Sequence, residues 1–200
     1  MTSPDAAATA DAAPRGPFKI IAFSGSLRAA SSNRGLVHLA TRLLEEQAPG
    51  ETTVELVDWI DQIPYYNEDL EADQPESVVR WRAAVNACDA MIIGMPEYNF
   101  GPSAVAKNAI DWLTRPFGAP AIKGKVIALL TSAGKGGGTN VQQALTPILG
   151  YFGNTMIEQP PVTVAMGFQR IAPDGTTDDA EILDVVGAKI AGMLAALREA

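Results

Sequence analysis

The 200-residue sequence is poor in cysteine, histidine and positive charge. Its single cysteine, Cys88, excludes an intrachain disulfide and any metal or iron–sulfur site built from cysteines alone, and we expect it to be a small buried side chain. His38 is the only histidine, and we expect it on the surface of a helix with no catalytic role. Lys and Arg number 15 against 23 Asp and Glu, and the formal net charge of -8 argues against a nucleic-acid partner, whose binding depends on phosphate neutralisation.

The sequence also lacks a secretory signal and a long apolar run. Residues 1–17 are rich in Ala and Pro, and they have no early positive charge followed by an apolar stretch. No segment approaches the length of a membrane span. The sequence therefore predicts a disordered tail over 1–17, one domain over 18–200, and a cytoplasmic protein with no membrane partner.

The rest of the chain alternates strand and helix patterns. Helical patterns separate five short apolar runs, at residues 18–23, 52–57, 90–95, 125–131 and 156–164, and Pro160 and Pro161 interrupt the last run. This alternation predicts an α/β three-layer sandwich around a five-stranded parallel sheet, for which the order 2-1-3-4-5 fits the chain length best. Such sheets bind ligands outside the carboxyl ends of their strands, near the switch in strand order. The rule selects the loops after the first, third and fourth strands.

The first loop, residues 24–34, combines several hydroxyl groups, an amide and Arg28 with the start of a helix. A phosphate dianion is stabilised by such a set, because the helix end carries partial positive charge and an arginine can bind two oxygens. The alternative is an ordinary helix N-cap, which accounts for one or two of these residues but not for Arg28. The loop matches neither a dinucleotide fingerprint nor a P-loop.

The second loop, residues 95–102, contains two prolines, a glycine and two aromatic residues. A planar heterocycle could lie against Tyr98, with its polar edge meeting backbone groups. In the alternative, Tyr98 or Phe100 simply packs against the helix below, and the residues alone leave both readings open.

The third loop, residues 131–138, contains four glycines that allow a ligand to approach the backbone closely. Taken by itself, the loop is explained more simply as a flexible surface turn. Its position beside the other two loops favours a ligand site.

These three loops resemble the motifs of the NADPH-dependent FMN reductase family, which includes quinone, azo-dye and chromate reductases of the flavodoxin-like fold. The first motif stands here as GSLR at 25–28 with Ser31 and Asn33, and the second as PEYN at 96–99 followed by KNAIDW at 107–112 and RP at 115–116. The third is the Ser-Ala-Gly sequence at 132–134 with glycines at 136–138. Relatives often carry an arginine shortly after the third motif, where this chain has Thr139 and Asn140.

The resemblance implies a role for each motif. The FMN phosphate would be held by the first motif, the isoalloxazine would be lined by the second, with Tyr98 beside the ring, and the pyrimidine end would meet the backbone of the third. The implied cofactor-binding residues are Ser26, Arg28, Ser31, Asn33, Pro96, Glu97, Tyr98, Asn99, Ser132, Ala133, Gly134 and Gly136.

The implied activity is electron transfer from NADPH or NADH, through FMN, to a small acceptor such as a quinone, an azo or nitro compound, free flavin or a metal oxyanion. No side chain is expected to be catalytic, because flavin N5 carries the chemistry, and no metal is expected. The resemblance also implies a homodimer or homotetramer. The helix over 107–115 could form its interface or could pack on its own sheet. The alternative functions are a flavodoxin-like electron carrier and an FMN-binding module without turnover.

Overall fold

A computed structural model of the protein describes residues 16–200. The predicted disordered tail lies outside the described residues, apart from Gly16 and Pro17. No helix among residues 16–200 combines the length and the apolar content needed to cross a membrane. The strands are β1 (Phe18–Ser24), β2 (Thr52–Val57), β3 (Ala90–Tyr98), β4 (Gly101–Pro102), β5 (Val126–Ala133), β6 (Thr155–Met156) and β7 (Val162–Ala165). The helices are α1 (Ser32–Gln47), α2 (Glu76–Ala87), α3 (Ala104–Leu113), α4 (Thr139–Gly150) and α5 (Ala180–Glu199).

The sheet has parallel strands in the order β2-β1-β3-β5-β6, so the predicted α/β class is confirmed. The central strands read as continuous apolar runs because both of their faces are covered. Residues 90–96 of β3 are all buried, and they pair in register with residues 126–132 of β5.

The prediction of five strands in the order 2-1-3-4-5 is wrong in detail, because the described chain forms seven strands. The predicted fifth strand is divided into β6 and β7, which both pair with β5 at different heights. Pro160 and Pro161 lie between them and have no N–H groups to continue the ladder. The additional β4 pairs antiparallel with the end of β3 and closes a tight hairpin that the sequence pattern does not reveal.

Helices cover both faces of the sheet and divide the core into two parts. On one face α1 and α5 bury residues such as Leu36, Leu44 and Ile190, and on the other α2, α3 and α4 bury Trp81, Trp112 and Leu145. The Trp81 ring meets Phe23 and Trp59 edge to face, at centroid distances of 5.5 and 6.1 Å.

Close packing brings α1 directly against the central strand. A Cβ atom at Gly94 would lie 2.5 Å from the backbone oxygen of Asn33, so only glycine fits there. As a result, the start of α1 sits over the carboxyl ends of β3 and β5, where the second and third loops begin.

Candidate functional site

The three loops meet in one open cleft of about 210 Å³ at the carboxyl edge of the sheet. All the predicted site residues line it except Asn99 and Gly136. Ser32 and Phe168 also line it, although the sequence reasoning did not select them. The lining residues are Ser26, Arg28, Ser31, Ser32, Asn33, Pro96, Glu97, Tyr98, Ser132, Ala133, Gly134 and Phe168.

The first loop contains both a helix cap and groups that the cap does not use. Ser31 is the N-cap of α1, and its side chain accepts a hydrogen bond from the backbone N–H of Arg34 at 3.2 Å. Ser26 is 4% exposed at the base of the cleft, whereas Arg28 is exposed at its rim and donates to the backbone oxygen of Ala30 at 2.8 Å. The N-cap reading therefore explains Ser31 and leaves Ser26 and Arg28 for another purpose.

Asn33 connects the first loop with the third. Its Nδ2 donates to the backbone oxygen of Ser132 at 2.8 Å, and its Oδ1 accepts from the Ser132 N–H at 2.9 Å. The hydroxyl oxygen of Ser32 lies 2.9 Å from that of Ser132, so these two side chains also form a hydrogen bond. Both polar ends of the Asn33 side chain are engaged inside the protein, and its backbone N–H lies in the first turn of α1, where N–H groups have no partner within the helix.

The second loop is a two-residue hairpin between β3 and β4. Asn99 and Phe100 have φ values of 51° and 66°, as a type I′ turn requires, and Tyr98 pairs with Gly101 across it. The Phe100 side chain is 80% exposed and that of Tyr98 is 47% exposed. The alternative in which these residues pack against the helix below is therefore wrong for Phe100, and Tyr98 stands at the wall of the cleft.

The third loop is shaped by its glycines rather than left flexible by them. Gly137 and Gly138 have positive φ, and a Cβ atom on Gly138 would lie 2.6 Å from the Cβ of Thr131. Gly134 and Gly136 are exposed, and a Cβ atom on either would meet nothing within 4 Å. The loop thus has two glycines that the fold requires and two with open backbone, of which Gly134 lines the cleft.

The second motif also contains residues that support the fold. In α3, Asn108 donates to the backbone oxygens of Ile63 and Pro64, and its Oδ1 accepts from the Tyr66 N–H at 2.7 Å. The indole of Trp112 donates to the same Pro64 oxygen at 2.8 Å. The helix packs on its own sheet, as one of the two predictions for it states, and it anchors the long loop after β2. Its role in an interface between copies stays a prediction.

A larger cleft, about 420 Å³, lies between α4 and the β6–β7 edge. It contains none of the predicted site residues, and among residues 16–200 Glu158 is the only charged residue that lines it. The described residues therefore offer a phosphate-bearing ligand no cation there. Cys88, as expected, is buried, and burial raises the pKa of its thiol to about 11, so it is not a ready nucleophile at neutral pH.

Comparison with known proteins identifies the same segments. Residues 18–170, which contain all three loops, match the model of the NADPH-dependent FMN reductase family. A probable NADPH:quinone oxidoreductase of Oryza sativa is 33% identical over 169 residues, which are 82% of this chain and 81% of the relative. An NAD(P)H-dependent FMN reductase of Pseudomonas aeruginosa is 37% identical over 150 residues, or 74% of this chain and 78% of the relative.

A solved structure shares the whole fold. The flavoenzyme NAD(P)H:(acceptor) oxidoreductase FerB of Paracoccus denitrificans superposes with a TM-score of 0.77 at 30% identity, covering 91% of this chain and 98% of that one. The match extends beyond the three motifs to the fold that holds them.

Proposed function

The chain belongs to the NADPH-dependent FMN reductase family, and we propose that it binds FMN in the cleft between its three loops and reduces a small acceptor at the expense of NADPH or NADH. When bound, the flavin supplies the chemistry, accepting a hydride from the nicotinamide and giving electrons to the acceptor. Quinones are the acceptor class we favour, because relatives that share about four fifths of their length with this chain are named quinone oxidoreductases.

The described residues fit the phosphate end of FMN. The amino end of α1 provides N–H groups of its first turn, the buried Ser26 provides a hydroxyl, and Arg28 provides an exposed cation. We assign the FMN phosphate to Ser26, Arg28, Ser31 and the backbone of Asn33. Ser31 keeps its capping bond, in which its oxygen accepts, and its hydroxyl O–H would donate to a phosphate oxygen.

The residues that would face the flavin ring are mainly apolar or aromatic. Pro96 is buried, Tyr98 is half exposed, and Phe168 adds a second aromatic side chain, 54% exposed, to the lining of the cleft. The open backbone at Gly134 can approach the polar edge of a flat ring without hindrance. N–H groups from this loop would favour the negative charge that a reduced flavin carries.

The single observation that supports this function most strongly is the convergence of three separate loops on one cleft, whose lining includes an arginine, several hydroxyl groups and two aromatic side chains. An electron carrier with the same fold would also bind FMN, so turnover has to be measured.

The test is the absorbance spectrum of the FMN-reconstituted protein before and after anaerobic addition of NADPH, followed by a quinone. Bleaching by NADPH and recovery with quinone supports a reductase. A bound flavin that neither NADPH nor NADH bleaches would refute this function and favour a carrier or a binding module.

We also propose that the protein is a homodimer or homotetramer. The Phe100 and Phe117 side chains are 80% and 82% exposed, and Phe100 stands on the strained hairpin beside the cleft. A bulky side chain at positive φ is costly, so a compensating contact in a second copy is a reasonable role for it. Light scattering after size exclusion, with Phe100→Ser as the comparison, tests this. A monomeric wild-type protein would contradict it.

The cytoplasmic location stays a prediction from the sequence.

A further inference from the structure

Helix α4, which follows the third loop, begins without a capping side chain of its own. Its N-cap is Gly138, at φ 98°, and the crowding against Thr131 requires glycine there. Glycine has no side-chain oxygen, so the first N–H groups of the helix need an acceptor from elsewhere.

Glu97 supplies that acceptor from the second loop. Its Oε2 accepts the backbone N–H groups of Asn140 at 3.0 Å and Val141 at 3.3 Å, and its Oε1 accepts from the Asn140 side chain at 3.0 Å. A carboxylate at this position is also favoured by the partial positive charge at the start of a helix. The contact joins residues 43 positions apart in the chain.

We propose that Glu97 is a positioning residue. Its carboxylate holds the second loop against the start of α4 and thereby fixes the third loop at the edge of the cleft. This inference rests on the proposed FMN site. It changes the role of Glu97 from a group that touches the ring to one that acts through Asn140 and Val141. Since Asn33 already ties the first loop to the third, Glu97 completes the set of links among the three loops.

The pair allows a test by exchange of chemical groups. Glu97→Gln removes the charge, and Asn140→Asp places a carboxylate against that of Glu97. In the double variant the amide at position 97 can donate a hydrogen bond to the carboxylate at position 140, so one side-chain hydrogen bond is restored with donor and acceptor exchanged. The amide oxygen at position 97 still faces the start of α4. FMN titration of the apo-protein should show the dissociation constant about tenfold higher in each single variant, the effect of one charge-assisted hydrogen bond, and largely recovered in the double variant.

Glu51→Gln is the matched control. It removes a carboxylate that pairs with Arg198 at the opposite end of the sheet, and it should leave FMN affinity unchanged. If Glu97 touched the ring directly, Asn140→Asp would have little effect and the double variant would bind no better than Glu97→Gln. Either result overturns the proposal.

Amide hydrogen exchange tests the contact between Glu97 and the start of α4 in the absence of flavin. The N–H groups of Asn140 and Val141 should exchange several times faster in Glu97→Gln than in the wild type and in Glu51→Gln. Equal exchange rates would overturn the proposal on their own. If the wild-type protein binds no FMN but exchange is still faster in Glu97→Gln than in the wild type, the proposed function is refuted and the contact between Glu97 and α4 is supported.

Discussion

Replacing Asn33 tests whether the first and third loops are held together as the structure shows. The side chain is 3% exposed and makes two hydrogen bonds to the backbone of Ser132, at 2.8 and 2.9 Å. In Asn33→Ala the Ser132 N–H and carbonyl lose these partners. A buried polar group left unpaired costs about 1–3 kcal/mol, so the variant should lose about 2–4 kcal/mol of unfolding free energy.

The same change should weaken FMN binding by at least about tenfold, because the two loops that face the ligand are no longer fixed to each other. Asn108→Ala is the matched control. Asn108 is also a buried amide with hydrogen bonds at both ends, but it lies on α3, away from the cleft. It should lower stability by a similar amount and leave the affinity for FMN within about twofold.

Urea unfolding of the apo-proteins and FMN titration of the folded ones give the two quantities. An unfolding free energy of Asn33→Ala within about 0.5 kcal/mol of the wild type would refute the reasoning about the bridge. Equal losses of affinity in Asn33→Ala and Asn108→Ala would show that the fold, and not the link between the loops, determines binding.

Three further variants test other parts of the structure. Arg28→Ala should raise the FMN dissociation constant at least about tenfold with little change in stability, since its side chain is exposed; stoichiometric flavin after gel filtration would contradict the phosphate assignment. Gly138→Ala should destabilise the protein by about 2 kcal/mol or more in urea unfolding. The loss should exceed that of Gly124→Ala, because Gly124 also has positive φ but a Cβ atom there would meet open space. Equal losses would contradict the argument from crowding. Burial lowers the pKa of Lys189 to about 8, so the unfolded chain holds that proton more tightly than the folded one. The unfolding free energy of the wild type relative to Lys189→Met should therefore rise by up to about 3 kcal/mol between about pH 8 and 10.5. Parallel profiles of unfolding free energy against pH for the two proteins would contradict this.

The parts of the fold that the sequence predicts well are those determined by local pattern. The apolar runs that form β1, β3 and β5 are continuous, and these strands lie where the sequence predicts them. The hairpin at Asn99 and Phe100 was not predicted, because phenylalanine is an unusual residue at positive φ and the pattern contains no Asn-Gly pair. The division of the last strand depends on which part of it reaches β5, which is a tertiary property.

The site was predictable in its location but not in its connections. The motifs indicate which loops surround the cleft, and the switch in strand order indicates the edge of the sheet. The functions of individual polar side chains are a different matter, because Asn33 and Ser132 are 99 residues apart and neither residue type indicates its partner. Phe168 lies beyond the last motif, in a segment without periodicity, so only the fold brings it to the cleft.

These connections suggest why polar residues of the motifs serve the protein and the ligand in different ways. Arg28 is exposed and bonded only within its own loop, so it can move to a ligand at little cost to the fold. Asn33 and Glu97 use their side-chain hydrogen-bonding groups in contacts with neighbouring loops, and these contacts fix the loops around the cleft. Loops that are fixed by the protein itself lose less entropy when a ligand binds. Loss of Arg28 should therefore change ligand affinity alone, whereas loss of Asn33 should change affinity and stability together.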